Sequence, residues 1–138
     1  MPEIRPLTPQ ECVDLLATEP VGRLAFSEDA LPAIHPVTFF LHRGDIVVHT
    51  ARTGALGKLS HEVVALEADR IDRETRTGWS VVAVGKAGQV SDPGELMAQV
   101  GAPWPGDGRS RLLRIPIEII TGRILRLAYD DAPVDAAG

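Results

Sequence analysis

The sequence predicts a mainly β fold, an antiparallel barrel with short helices at its margins. Six or seven segments have the apolar, β-branched character of strands, and most follow one another with only polar turns between them. Helical spacing of apolar residues is confined to two short stretches. Because the strands do not alternate with long helical segments, the pattern favours an antiparallel barrel over a doubly wound α/β sheet.

The predicted strands are bounded by glycine, proline and charged residues. They are Val21–Ser27, Leu31–Leu41, Ile46–Thr50, Val63–Ala68, Trp79–Val90 as the longest, and one or two strands within Arg111–Leu127. The charged segment Asp69–Gly78 is expected to be a solvated connection. Gly85 and Gly88 are expected to mark bends where the barrel curves, and Gly122 a bend in the final segment.

Two segments predict helices. Thr8 to Glu11 has the pattern of a capping box, with Pro9 at the first helical position and Glu11 reaching back to the N-cap. Cys12 falls on the apolar face of this helix and is expected to be a core thiol. A second short helix is expected to begin around Asp92–Pro93, and a loop rich in proline and glycine to follow over Gly101–Ser110.

Apolar residues lie on both faces of the strand Leu31–Leu41. Val37 and Phe39 alternate with Ile34 and Phe40, so both sides need cover. The barrel core supplies one cover. In a chain this small the other is a second subunit, or alternatively a helix of the same chain.

The totals of the sequence restrict the class of protein. The 138 residues fit a single domain spanning 1–138, with a flexible tail from about residue 128. A net charge of −5 and few aromatic residues argue against a nucleic-acid partner. The lone cysteine rules out an internal disulfide, and no apolar run is long enough for a membrane span, so we expect a cytoplasmic protein without a membrane partner.

The segment from Val47 to Leu59 has a composition suited to phosphate. Thr50 ends a strand, small residues follow, and Lys58 lies at a helical turn, which together offer a hydroxyl, free backbone N–H groups and a cation. It is not a P-loop, because that motif requires glycine at position 52 and serine or threonine at position 59. Taken alone, the segment is equally compatible with a surface loop that carries a solvated lysine.

Several motifs together resemble one family. Pro-Val-Thr-Phe from Pro36, Val-Val-His-Thr from Val47, Gly-Lys-Leu from Gly57, Gly-Trp-Ser-Val-Val from Gly78 and Thr-Gly-Arg from Thr121 occur in this order. The order is similar to that of the pyridoxamine 5′-phosphate oxidase-like family, from about Leu7 to Arg126. The resemblance implies a split β-barrel, antiparallel and Greek-key-like, which works as a homodimer and holds flavin mononucleotide (FMN).

The resemblance also implies roles for individual residues. Thr50 and Lys58 would hold the FMN phosphate, with Arg52 compensating for Leu56 and Gly57, which stand where the family commonly has serine and arginine. The second strand would run beside the flavin ring through the backbone of His35, Pro36, Val37 and Thr38. Trp79 and Ser80 would come from the neighbouring subunit, although Trp79 is equally compatible with core packing.

Arginines are concentrated near the C-terminus. Arg123, beside Gly122, is expected to belong to a site or an interface. The others, Arg109, Arg111, Arg114 and Arg126, are expected to form a solvated face.

Three functions fit these expectations. The first is a flavin-dependent oxidoreductase that transfers hydride at the flavin N5 to or from a small organic molecule. The second is a flavin-binding or haem-binding module without turnover, for which His35 and His49 are candidate haem ligands. The third is a reductase that uses a deazaflavin coenzyme. No pair of histidines has helical metal-ligand spacing, so no metal site is expected, and no catalytic side chain can be assigned.

Overall fold

The computed structural model describes residues 4–51, 54, 56–91, 94–97 and 110–127. Two helices are α1 (Pro9–Leu16) and α2 (Gly94–Met97), and a 3₁₀ turn covers Leu56–Lys58. The strands are β1 (Arg5–Pro6), β2 (Val21–Glu28), β3 (Leu31–His42), β4 (Asp45–Ala51), β5 (Val63–Ile71), β6 (Thr77–Lys86), β7 (Gly88–Gln89), β8 (Ser110–Pro116) and β9 (Ile119–Arg126). None of the described helices is long and apolar enough to cross a bilayer.

The predicted capping box is present at α1. Glu11 N donates to the Thr8 hydroxyl at 3.2 Å, and Thr8 N donates to the Glu11 carboxylate at 3.0 Å. Arg5 donates two hydrogen bonds of 2.8 and 2.7 Å to the same carboxylate. The bonds from Arg5, and after them those from Thr8, lower the pKa of Glu11 to about 2. Glu11 is therefore charged at all ordinary pH values, at the positive end of the helix dipole.

All strand pairs are antiparallel, and together they form one curled sheet. Its order is β1-β9-β6-β5-β2-β3-β4-β8-β7. Although β6 and β8 are far apart in this order, they contact one another where β8 ends at Pro116. Gly85 makes this approach possible, because a Cβ there would overlap the carbonyl oxygen of Pro116. The predicted mainly β, split-barrel fold is thus confirmed.

The concave side of the sheet holds the main core. Every second residue of β2, β4, β5 and β6 points into it, as the two-residue period of a strand requires. The cluster includes Leu24, Ile46, Leu66, Val81 and Leu113, and α1 adds Cys12 and Leu16. Cys12 is fully buried, as predicted, and burial raises the pKa of its thiol. Gly122 belongs to this packing, because a Cβ there would lie 2.8 Å from the Cys12 sulfur.

The convex side has two differently covered regions. Over β4 and β8, Leu96 of α2 packs with Val47 and Leu112, and Phe40 of β3 joins them. Over β3, β2, β5, β6 and β9, the registers align one apolar residue from each strand, a set we call the outer apolar row: Ile34, Ala25, Ala65, Val84 and Ile119. Its end residues Ile34 and Ile119 are 69% and 59% exposed. A helix of the same chain therefore covers Phe40, whereas no described element covers Ile34.

Several strand boundaries differ from those expected. Within the described residues the sheet has nine strands, because β1 and β7 are two-residue strands without a periodic signal. The longest strand is β3 rather than Trp79–Val90. That predicted strand breaks at Ala87, whose backbone donates to Glu62 O at 2.8 Å and accepts from His61 N at 2.7 Å.

The connection between β5 and β6 is also shorter than predicted. β5 continues to Ile71 and β6 begins at Thr77, since the Asp72 carboxylate accepts from Glu74 N and Thr75 N and closes a tight turn. The chain reverses at Ile117–Glu118, not at Gly122. The expected helix start at Asp92–Pro93, most of the loop Gly101–Ser110 and the tail from about 128 lie outside the described residues.

Candidate functional site

One end of the barrel gathers polar groups from three parts of the chain. Thr50, near the end of β4, is 4% exposed and pairs with Arg111 of β8, so the two side chains share a face. Arg111 Nη1 donates to the Gly57 carbonyl oxygen at 2.5 Å. This bond ties the Leu56–Lys58 turn to β8. We call Thr50, Gly57, Lys58 and Arg111 the barrel-end group.

The predicted phosphate residues fall within this group. Lys58 belongs to the Leu56–Lys58 turn. Thr50 is linked to the same turn because it pairs with Arg111, which bonds to Gly57. The Lys58 side chain is exposed. Arg52, the third predicted phosphate residue, lies outside the described residues.

Arg111 was not predicted to belong to a site. It was grouped with a solvated arginine face, but its side chain is partly buried and lies on the same face of the sheet as Thr50. Arg114, three residues on, fits the original expectation better, because it pairs with Asp45 at 3.6 Å. The signal that separates the two arginines is the register of β8 on β4, which the sequence does not contain.

A cleft of about 360 Å³ opens beside the barrel-end group, and Lys58 lines it. The β2–β3 turn forms its rim, with Asp29 and Ala30 at positive φ. Its floor is apolar and its walls carry three carboxylates; the lining residues are Phe26, Ser27, Glu28, Asp29, Ala30, Lys58, Leu59 and Glu62. The cleft suits an uncharged or cationic group better than a phosphate.

The four predicted residues of β3 divide between the two faces of the sheet. His35 and Val37 point inward, and the His35 ring lies 5.3 Å from that of Phe26, which lines the cleft. Pro36 and Thr38 are exposed on the convex side. Because the four side chains point to opposite faces, all four residues can contact one ligand only through their backbone. The resemblance implied contacts of this kind.

Trp79, Ser80 and Arg123 lie away from the barrel-end group of the same chain. Three strands separate β6 from β4 in the sheet. Trp79 pairs with Arg70 near the last residue of β5, whereas Lys58 precedes the first. Trp79 packs against the core cluster, and Arg123 is exposed opposite Ser80. The placement of Trp79 and Ser80 beside the flavin of a second subunit stays a prediction.

A charged cluster occupies the convex face next to the outer apolar row. Arg23 reaches Glu67 at 3.5 Å and Asp69 at 3.4 Å, and the Ser80 hydroxyl donates to Glu67 at 3.5 Å. Burial, then a hydrogen bond and repulsion from Asp69, raise the pKa of Glu67 from 4.5 to about 7, although Arg23 and Ser80 act in the opposite direction. Glu67 therefore keeps its proton to a higher pH than an ordinary carboxyl.

His49 is the one buried histidine of the described residues. It is 4% exposed and lies opposite Thr38. Burial lowers the pKa of its imidazole, so His49 is neutral at neutral pH. A neutral imidazole is the form that ligates a haem iron, and His49 therefore stays compatible with that alternative.

The chain is similar to known proteins over most of its length. The family model of pyridoxamine 5′-phosphate oxidase matches residues 8–124. An uncharacterized protein of Mycobacterium tuberculosis is 36% identical over 136 residues, which cover 93% of this chain and 88% of that protein. The structure of the FAD binding protein from Mycobacterium smegmatis matches with a TM-score of 0.72 and 27% identity, covering 90% of this chain and 100% of that chain. A conserved protein of unknown function from Corynebacterium diphtheriae matches with a TM-score of 0.72 and 29% identity, covering 88% and 98% of the two chains.

Glu67 predicts a pH dependence of stability. Because its pKa in the folded protein is raised, folding favours the protonated carboxyl, and stability is lost as the pH rises from about 4.5 to about 7. Glu67→Gln removes this loss, so the free energy of unfolding at pH 8 should be higher for the variant than for the wild type. We expect a difference of about 1 kcal/mol, a value reduced for solvent screening. Urea unfolding from pH 4 to pH 8 measures the effect. Glu74→Gln, at an exposed turn position, is the control, and parallel profiles for Glu67→Gln and the wild type would contradict the prediction.

Proposed function

Because the chain belongs to the pyridoxamine 5′-phosphate oxidase family, we propose that it binds FMN as a homodimer and acts as a flavin-dependent oxidoreductase on a small organic molecule. The observation that carries the proposal is the barrel-end group. It places a hydroxyl and two cations around one tight turn, in a fold shared with an FAD binding protein.

The chemistry of these donors fits a phosphate. A phosphate monoester at neutral pH carries close to two negative charges and accepts several hydrogen bonds. Lys58 supplies a mobile ammonium group and Arg111 a guanidinium that is fixed by its bond to Gly57. The Thr50 hydroxyl lies on the same face as Arg111.

When bound, the flavin supplies hydride transfer at N5. The residues of this chain bind and orient it, and they restrict access of water. Within the described residues, β3 pairs with β2 from Leu31 to Thr38 but with β4 only from Thr38 onward, so backbone groups before Thr38 on the β4 side could contact the ring. Phe26 and Leu59 give the neighbouring cleft an apolar floor. None of these roles requires a catalytic triad or a carboxylate pair.

The homodimer is supported by the convex face. The outer apolar row extends over five neighbouring strands, and no described element covers it. An apolar band of this extent favours burial against another protein surface, and a second copy offers the same band through a two-fold axis. Ser80 lies on this convex face, whereas Trp79 packs against the core of its own chain, so the expected contact of Trp79 with the flavin of the other copy stays a prediction.

Two alternatives remain as candidate functions. One is a module that carries flavin or haem without turnover, for which the buried neutral His49 is the supporting observation. The other is a deazaflavin-dependent reductase, which the same phosphate-binding donors would serve. FAD is a further candidate cofactor, because the Mycobacterium smegmatis relative binds it.

The absorption spectrum of the purified protein separates these cofactors. We expect the two visible bands of an oxidised flavin, and chromatography of the acid-released cofactor is expected to identify FMN. A Soret band would indicate haem, and a colourless protein that takes up only a deazaflavin would contradict FMN binding. Oxidation of NADPH with a quinone or a nitro compound then separates an enzyme from a carrier.

Lys58→Ala is expected to weaken FMN binding by roughly 10-fold to 100-fold, because one charge-assisted hydrogen bond to the phosphate is lost. The exposed side chain can be removed without affecting the core, so the unfolding midpoint should not change. Quenching of FMN fluorescence measures the affinity. Arg73→Ala, which removes an exposed cation from the β5–β6 turn, is the control. Unchanged affinity in Lys58→Ala would remove this lysine from the phosphate site.

Val84→Arg is expected to convert the dimer to a monomer, because it places a charge in the middle of the outer apolar row. In sedimentation velocity, the wild type should have twice the 14.8 kDa mass of one chain, and the variant should have the mass of one chain. Leu31→Arg, at a residue that is 68% exposed beside the β2–β3 turn, should stay dimeric. A wild type that sediments as a monomer at micromolar concentration would refute the proposed dimer.

A further inference from the structure

Arg111 differs from three other partly buried arginines in what it contacts. Arg5, Arg23 and Arg114 each have a carboxylate partner, at N–O distances from 2.7 to 3.6 Å. Within the described part of the chain, Arg111 has no carboxylate partner. Its hydrogen bond goes to the neutral carbonyl of Gly57.

A guanidinium in this position favours an anion. Arginine carries five N–H donors and is always charged, and one carbonyl satisfies only one of those donors. The remaining donors have no carboxylate partner in the described part of the chain, and a partly buried cation is stabilised when an anion pairs with it. The bond to Gly57 holds the guanidinium in place, so an arriving anion meets a cation that is already oriented.

The position of Arg111 also shows where that anion would bind. The cleft beside Lys58 is lined by Glu28, Asp29 and Glu62, which repel a phosphate. Arg111 is not among the cleft residues, and it shares its face of the sheet with the Thr50 hydroxyl. The favourable place for a phosphate is therefore the side of the Leu56–Lys58 turn that faces Thr50 and Arg111.

We propose that Arg111 binds the phosphate of the flavin together with Lys58 and thereby selects phosphorylated flavins over riboflavin. The proposal rests on the proposed flavin binding and names the residue that determines this specificity. In this proposal the Arg111 side chain has two functions. One of its N–H donors holds the turn, and the remaining donors bind the ligand.

A purely structural role for Arg111 makes a different prediction. If the residue only holds the turn, its loss should weaken FMN and riboflavin equally, because the whole site is displaced. If it binds the phosphate, its loss should weaken FMN alone. Riboflavin has the same ring system without the phosphate, so the ratio of the two affinities distinguishes the two roles.

The experiment compares FMN and riboflavin affinities, by fluorescence quenching, for the full-length wild type, Arg111→Gln and Arg114→Gln. Glutamine carries no charge and is shorter than arginine, so the riboflavin affinity of this variant reports any displacement of the turn. We expect Arg111→Gln to lose roughly 10-fold to 100-fold in FMN affinity with little change for riboflavin. Arg114→Gln removes a cation of the same strand that pairs with Asp45, and it should keep the wild-type ratio.

A second measurement on the wild type needs no substitution. Phenylglyoxal labels arginine side chains, and peptide mass spectrometry reports each position. FMN should protect Arg111 and riboflavin should not, while the labelling of Arg114 stays constant. Equal protection by both ligands, or a full FMN preference retained in Arg111→Gln, would overturn the role of Arg111 alone. A wild type that binds neither ligand would overturn the proposed flavin binding as well.

Discussion

The close approach of β6 to β8 is the constraint on which the rest of the molecule depends. Gly85 has no side chain to separate β6 from the carbonyl of Pro116 at the end of β8. The contact joins two strands that are far apart in the sheet order, so it converts a curled sheet into a barrel with an enclosed core. The path of β8 itself is set by its pairing with β4, which runs from Asp45 to Ala51. Because β8 begins at the barrel end beside Thr50, Arg111 is delivered to the turn that carries Lys58.

The same curvature determines what remains on the convex face. Residues of one parity fill the core, and residues of the other parity form the outer apolar row and the Arg23–Glu67–Asp69 cluster. A half-buried carboxyl whose pKa is raised to about 7 is costly in an isolated chain at neutral pH. In the proposed dimer, a partner surface over the apolar row would also lie close to this carboxyl.

Local signals in the sequence predicted local structure well. Thr8 and Glu11 carry the complete capping box, and the turn residues between β2, β3 and β4 set the strand order correctly. The segment from Thr50 to Lys58 was predicted to suit a phosphate from its composition alone, and that role stays a prediction. Each of these features depends on residues within a few positions of one another.

Features that depend on distant pairing were missed. The predicted strand Trp79–Val90 breaks because Ala87 bonds to His61 and Glu62, about 25 residues earlier in the chain. Gly122 was predicted to mark a bend, whereas it provides space for the Cys12 sulfur of α1. Arg111 lies 54 residues from the carbonyl it contacts, and only the register of β8 on β4 distinguishes it from Arg114, which pairs with Asp45.

Two regions near Lys58 have opposite electrostatic character. The cleft carries Glu28, Asp29 and Glu62, and the barrel-end group carries Arg111 and the Thr50 hydroxyl. A ligand with an anionic end and a neutral ring can use both, with the phosphate on the cationic side and an apolar portion towards Phe26. A crystal structure of the FMN-loaded protein tests this arrangement most directly. The phosphate oxygens should lie about 3 Å from nitrogen atoms of Lys58 and Arg111. A phosphate bound among the cleft carboxylates, or at the Trp79 end of the same chain, would contradict the proposed site.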